Sequence, residues 1–146
     1  MRTEFVEALT NKMQEDSRYV VLTGDVGAGM FDMVAISWPE RFLNVGICEQ
    51  TMVGIAAGMA IEGFVPVVFT RTPFLIERAL EQIKIDIIAM GRCVKLVGDS
   101  TDSGWGSSHE CVLRSYPGLC RCDSVRELFA SDTCMFLEIG VKIETK

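Results

Sequence analysis

A carboxylate stands at the mouth of an almost uncharged helical stretch, in Asn44-Val-Gly-Ile-Cys-Glu-Gln-Thr-Met-Val-Gly-Ile-Ala-Ala-Gly-Met-Ala-Ile-Glu-Gly63. Glu49 has Ile47, Cys48, Met52 and Val53 around it in sequence. Residues 50–61 are apolar nearly all round, the pattern of a helix buried in a core or an interface. An acid there needs a donor, because an unpaired charge is excluded from dry surroundings. It could also simply favour the positive end of the helix dipole. Arg41, Arg71, Arg78 or a bound ligand are the available donors. The single histidine, His109, follows Gly104-Trp-Gly-Ser-Ser. It is either an exposed or structural residue, or a proton donor and acceptor near neutral pH. Asp25 follows an apolar run, as do Phe69 and Phe74. The two aromatics fit a core, or a wall for a flat heterocycle. Ser107 and Ser108 beside His109 do not make a hydrolase, for no Gly-x-Ser-x-Gly elbow is present.

These residues need a scaffold, and the apolar pattern supplies one. Strands are expected at 18–23, 41–45, 64–70, 93–98 and 134–139, with helices at 2–16, 30–37, 50–61 and 74–89. Segment 109–133 carries at most a turn or two of helix, around 124–129. Near-continuous apolar strands alternating with helices predict an α/β fold, a parallel sheet with helices on both faces. Strand-end loops are where such sheets place ligand contacts, and Asp25, Phe69, Phe74 and His109 all follow strands. Gly24 to Gly29 match neither Gly-x-Gly-x-x-Gly nor a P-loop, so a strand-to-helix turn is expected there.

With 146 residues the chain has room for one domain. Hydrophobic residues make up 49% and charged residues 23%, and the net charge is −6. No basic stripe is present, which argues against nucleic acid. No apolar run approaches the length of a membrane span, and the first residues do not form a signal peptide. The expectation is a cytoplasmic protein. Its six cysteines are then free thiols, and Cys120-Arg-Cys122 lacks the second pair of ligands that a zinc site needs.

Phe42-Leu-Asn-Val-Gly-Ile-Cys-Glu-Gln-Thr-Met-Val-Gly-Ile-Ala-Ala-Gly-Met-Ala60 resembles the signature of the pyrimidine-binding domain of transketolases and deoxyxylulose-phosphate synthases. The likeness continues through Val21-Leu-Thr-Gly-Asp25, Gly63-Phe-Val-Pro-Val-Val-Phe-Thr70, Pro73 to Asp86 and Val94 to Gly98. It implies the thiamine-diphosphate-binding fold of that domain, over residues 1–146 as a single unit. It also implies thiamine diphosphate as cofactor. Glu49 matches the glutamate that hydrogen-bonds the aminopyrimidine nitrogen N1′ and promotes the imino tautomer, which removes the thiazolium C2 proton. Phe74 and Phe69 match aromatics that wall the pyrimidine, Asp25 an acid near the cofactor, and His109 a histidine near substrate. Glu49 and His109 are thus the catalytic residues implied, and no metal ligand is expected in this chain.

In the family the diphosphate and Mg2+ are held by another domain through a Gly-Asp-Gly … Asn motif, and this sequence contains no Gly-Asp-Gly. Neither that domain nor the family's C-terminal domain is expected here. The resemblance therefore implies one subunit of a split, hetero-oligomeric transketolase-like transferase. A partner subunit would bring the Gly-Asp-Gly motif, the pyrimidine domains would pair through the 50–61 helix, and the substrate would be a small keto or sugar phosphate. Alternatives are a subunit of a 2-oxoacid decarboxylase or dehydrogenase, or a non-catalytic binding module. Two departures stand out: Ser-Ser-His-Glu replaces the family's Gly-Pro-Thr-His, and the segment between His109 and the last strand is shortened.

Overall fold

The computed structural model describes residues 1–100, 117 and 119–140. Among these, six parallel strands form one sheet: β1 (Tyr19–Thr23), β2 (Phe42–Asn44), β3 (Val65–Arg71), β4 (Lys95–Ser100), β5 (Cys120–Cys122) and β6 (Met135–Gly140). Their spatial order is β2-β1-β3-β4-β6-β5. The pairings are all parallel, with Leu22 beside both Leu43 and Val68, and Val97 beside both Phe69 and Leu137.

Alternate residues of each strand point to opposite faces, and each face has its own core. On one face α1 (Arg2–Glu15) lays Phe5, Leu9 and Met13 at four-residue spacing onto Val21, Val67, Phe69 and Val97. The short helices α2 (Asp32–Ser37) and α5 (Val125–Ala130) join the same face through Val34, Val125 and Leu128. On the other face α3 (Glu49–Ile61) buries Met52, Val53, Ala56 and Ala57 against Val20, Leu22, Val68 and Leu96.

The helical segment that follows β3 covers the rest of that second face, but it is not a regular α-helix. It runs as a π-helical stretch (Phe74–Arg78), a short α-helix α4 (Leu80–Gln82) and a second π-helical stretch (Ile83–Ile88). Single π turns inside helices are uncommon and gather at functional sites. Leu75, Ile76, Ala79, Ile83 and Ile87 all face the core, so the widened turns keep the apolar stripe inward. Fully burying each large aliphatic side chain contributes about 1.5–3 kcal/mol.

The expected helices and strands are present, with two refinements. The 74–89 region is π-helical in most of its length, which hydrophobic spacing cannot distinguish from α. An edge strand, β5, and the helix α5 lie in the segment that sequence pattern resolved least. Ser124 caps α5 by accepting from the Glu127 amide at 3.2 Å, and the Glu127 carboxylate accepts from the Asp123 amide at 3.1 Å. That reciprocal arrangement is close to a capping box. His109, and with it Ser107 and Ser108, lies outside the described residues. Among the described residues no helix is long and apolar enough to cross a membrane.

Candidate active site

Two connections leave β1 and β2 in opposite directions, since β2 lies on one side of β1 and β3 on the other. The crevice this opens, at the carboxyl ends of β1 and β3, is the place where parallel α/β sheets bind ligands. Three elements meet there. A Cβ on Gly24, just past β1, would lie 3.4 Å from the Thr70 hydroxyl of β3 and 3.7 Å from Glu49 Oε1 of α3.

The backbone path to Glu49 is fixed by Asn44. Its Oδ1 accepts from the amides of Asp25 at 3.0 Å and Gly46 at 3.1 Å, while its Nδ2 donates to Asp25 Oδ1 at 3.1 Å. One side chain at the end of β2 therefore holds both strand-end turns. Asp25 takes a left-handed backbone, φ 58°, which an Asx residue tolerates better than most. Gly46 stands at φ 77°, where only glycine is at ease. The chain then reaches Cys48, whose thiol donates to the Val45 carbonyl at 2.9 Å, and enters α3 at Glu49.

Glu49 is 1% exposed, in spite of its charge. Oε2 accepts from Arg78 Nη1 at 2.7 Å, and Oε1 from the Thr70 hydroxyl at 3.5 Å. Of the three arginines within reach by sequence, Arg78 is the partner. Arg41 donates instead to the Met13 carbonyl and stacks on Trp38. Arg71 pairs with Asp99 at 3.0 Å, which also takes both Arg2 nitrogens at 2.8 and 3.0 Å. The Arg78 guanidinium carbon also sits 4.2 Å over the centre of the Phe74 ring. The π-helical turn thus carries at its two ends the aromatic and the cation that meet above Glu49.

The sequence-based candidates divide accordingly. Glu49 and Phe74 come together through Arg78, and Asp25 adjoins them through Gly24 and the Asn44 clamp. Phe69 does not face this crevice: the ring is 1% exposed, 4.9 Å edge-on from Phe31 and 6.3 Å stacked from Phe5, in the core of the opposite face. Strand alternation explains it, for its neighbour Thr70 is the one aimed at Glu49. His109 is outside the described residues. Thr70 and Asn44 are the contributors that residue-type reasoning passed over. Asn-Val-Gly after a strand was the available signal for Asn44, since Asn side chains bond backbone amides two residues on.

Thr72, next to the site, is 2% exposed and its hydroxyl has no hydrogen-bond partner. It lies so near β4 that a Cβ on Gly98 would come within 2.5 Å of that oxygen, so glycine is needed there. No three acidic, histidine or cysteine side chains converge on a metal-binding geometry among the described residues. A groove of about 330 Å³ does exist, between α1 and α5, lined by Ala8, Lys12, Val125 and Phe129 among others. It lies on the far face of the sheet and holds none of the candidate residues.

Residues 1–113 match the transketolase pyrimidine-binding domain model. An apulose-4-phosphate transketolase subunit of Actinobacillus succinogenes is 44% identical over 78 residues, covering 51% of this chain and 25% of that protein. The 1-deoxy-D-xylulose-5-phosphate synthase of Syntrophomonas wolfei subsp. wolfei is 37% identical over 125 residues, covering 79% of this chain and 19% of that enzyme. Among solved structures, a protein described as "Split gene transketolase, inactive beta4 tetramer" superimposes with a TM-score of 0.80 at 27% identity, over 95% of this chain and 50% of that one. The chain therefore spans about a fifth to a half of these proteins. A buried glutamate at the switch crevice, the parallel sheet beneath it and the matched residues agree: the chain belongs to the transketolase pyrimidine-binding domain family.

Proposed function

We propose that the chain is one subunit of a split, thiamine-diphosphate-dependent transketolase-like enzyme that transfers a two-carbon ketol unit between small keto or sugar-phosphate substrates. The observation that carries this reading is Glu49, a fully buried carboxylate at a ligand-binding crevice, beside an aromatic ring. The residues fit an aminopyrimidine: a carboxylate to bond a ring nitrogen, and Phe74 to cover a flat face. When bound, thiamine diphosphate supplies the electron sink for breaking and making a carbon–carbon bond.

The chain's own residues have definable tasks. Glu49 holds a hydrogen bond to the pyrimidine in a site of low dielectric, where such a bond is stronger than in water. Thr70, fully buried in β3, fixes the other carboxylate oxygen and so the direction of the first. Asn44 locks the two turns that set the position of Gly24 and Glu49. Asp25 lies at the crevice edge, and His109 is assigned to the substrate side.

A partner is part of the proposal. The sequence has no Gly-Asp-Gly, so the diphosphate and Mg2+ fall to a second subunit, as the names of the relatives suggest for those proteins. The outer face of α3 supports pairing of pyrimidine domains. Gly54 and Gly58 lie one turn apart on it, beside the exposed Ile55 and Ile61, and a Cβ on either glycine would meet nothing within 4 Å. Packing inside this chain gives no reason for glycine at either place. Close approach of another helix gives one.

The test is to co-express the chain with a candidate diphosphate-binding subunit, purify the complex, and titrate it with thiamine diphosphate and Mg2+. Binding by the complex that is weakened in Glu49→Gln supports the assignment. Equal binding with and without the carboxylate removes it.

A further inference from the structure

We propose that the Arg78 guanidinium occupies the seat of the aminopyrimidine and is exchanged for it when the ring binds. The inference rests on the reading of Glu49 and Phe74 given above, and it assigns Arg78 a gating role toward that ring.

The two contacts expected of the ring are the two that Arg78 makes. Its Nη1 donates to Glu49 Oε2 at 2.7 Å, and its guanidinium lies over Phe74 with the carbon 4.2 Å from the ring centre. A guanidinium is flat, cationic and rich in N–H donors, so it stacks on aromatics and bonds carboxylates as a small heterocycle does. One flat group on that face of Phe74 and on that oxygen of Glu49 excludes another.

Which donor would leave follows from burial. Both oxygens of Glu49 are already engaged, so a ring bonded to the carboxylate must replace Thr70 or Arg78. Thr70 is 0% exposed and built into β3 between Gly24 and Gly98. The Arg78 side chain is 43% exposed, at the end of a long flexible stem. Its head can move into water at little cost, and the hydroxyl cannot. Throughout the exchange the buried carboxylate keeps a donor, as a charge in dry surroundings must. Arg78 therefore keeps Glu49 ionised, oriented and compatible with the fold until the ring takes over, and it sets a threshold that only a ligand with both a donor and a flat face can pass.

The backbone supports the same conclusion. Phe74 and Arg78 bound a π-helical stretch, and a widened turn changes where its last side chain points relative to its first. Local distortions of this kind mark positions where a side chain is aimed for function.

The experiment uses the whole chain, isotope-labelled, with thiamine as the probe. The Arg78 Nε–H resonance, identified by its loss in Arg78→Lys, carries the ring-current shift of a group stacked on Phe74. We expect that shift to vanish as thiamine binds. We also expect Arg78→Ala to bind thiamine about ten-fold more tightly than wild type, the change that about 1.4 kcal/mol of relieved competition gives. Glu49→Gln should bind weakly in either background. If binding depends on Glu49 while the Arg78 resonance stays put and Arg78→Ala binds no better, the exchange is wrong and the Glu49 reading stands. If no Glu49-dependent binding is found in any form, both fall. Should Arg78→Ala fail to fold, the wild-type resonance still decides, together with Arg78→Lys, which keeps the charge, loses the planar stack and should bind several-fold more tightly.

Discussion

Asn44 and Asp25, nineteen positions apart, exchange two hydrogen bonds, the Asp25 amide to Asn44 Oδ1 at 3.0 Å and Asn44 Nδ2 to Asp25 Oδ1 at 3.1 Å. They tie the carboxyl end of β2 to that of β1, and the same Oδ1 takes the Gly46 amide. Everything at the mouth of α3 hangs from this clamp. Asn44→Ala removes three bonds in an exposed setting, at about 0.5–1.5 kcal/mol each before water compensates. The expected loss is about 1–2 kcal/mol of stability in urea titration, with cofactor affinity falling more than that loss alone explains. Asn44→Asp, which keeps the acceptor for both amides but sets a second carboxylate against Asp25, should fall between the two.

Glu49 and Arg78 should depend on each other unequally. Removing the partner of a buried charge costs about 3–5 kcal/mol, less here because the Arg78 head is half in water. Arg78→Ala is expected to destabilise by about 1–3 kcal/mol, and Glu49→Gln by less, since the amide leaves no charge behind. In a double-mutant cycle the combined variant should be more stable than the sum of the two losses predicts. Strict additivity would mean that the 2.7 Å pair contributes nothing.

Gly54 and Gly58 offer a test in which two readouts move in opposite directions. In the isolated chain Ala at either position should raise stability by about 0.5–1 kcal/mol, because glycine inside a helix is costly and the added methyl meets open space. The same substitutions should weaken association with another pyrimidine domain, measured by sedimentation. Stabilisation without weakened association would remove α3 as a contact surface.

Alkaline pH should destabilise the fold in a defined window. Burial pushes the Cys122 thiol up to about 11 and the Cys134 thiol up to about 12. The unfolded thiols ionise near the ordinary cysteine value of about 8.5, so above it the unfolded chain binds fewer protons than the native one and stability falls as pH rises. That contribution is complete below about pH 8 and lost progressively toward pH 11–12. Denaturation midpoints should decline across this range, and Cys134→Ala should flatten the decline. The exposed Cys120 should react with a thiol reagent well before either.

Much of this architecture was legible in residue patterns. The runs around Val20, Val67 and Leu96 are apolar because both faces of a parallel strand are covered, and the Glu49 helix declared its burial by lacking charge. Other features were hidden by physics that acts at a distance in sequence. Lys95 reads as a solvated interruption of an apolar run, yet it is 0% exposed, its ammonium donating to the carbonyls of Ser131 and Thr133. Phe69 and Thr70 are neighbours, and only the direction of the pleat decides which of them reaches the site. The choice of Arg78 over Arg41 and Arg71 depended on a π-helical turn that hydrophobic spacing does not encode. β5 is three residues long with two of them exposed, too short to leave a periodic signal.

The most direct measurement is turnover by the assembled complex, with wild-type and Glu49→Gln chains compared at matched thiamine diphosphate saturation and matched thermal stability. The account predicts that the variant assembles and binds the partner normally but loses about 10²–10⁴ in rate, the range for a group that governs a proton transfer. A Glu49→Gln complex that turns over as fast as wild type would contradict it.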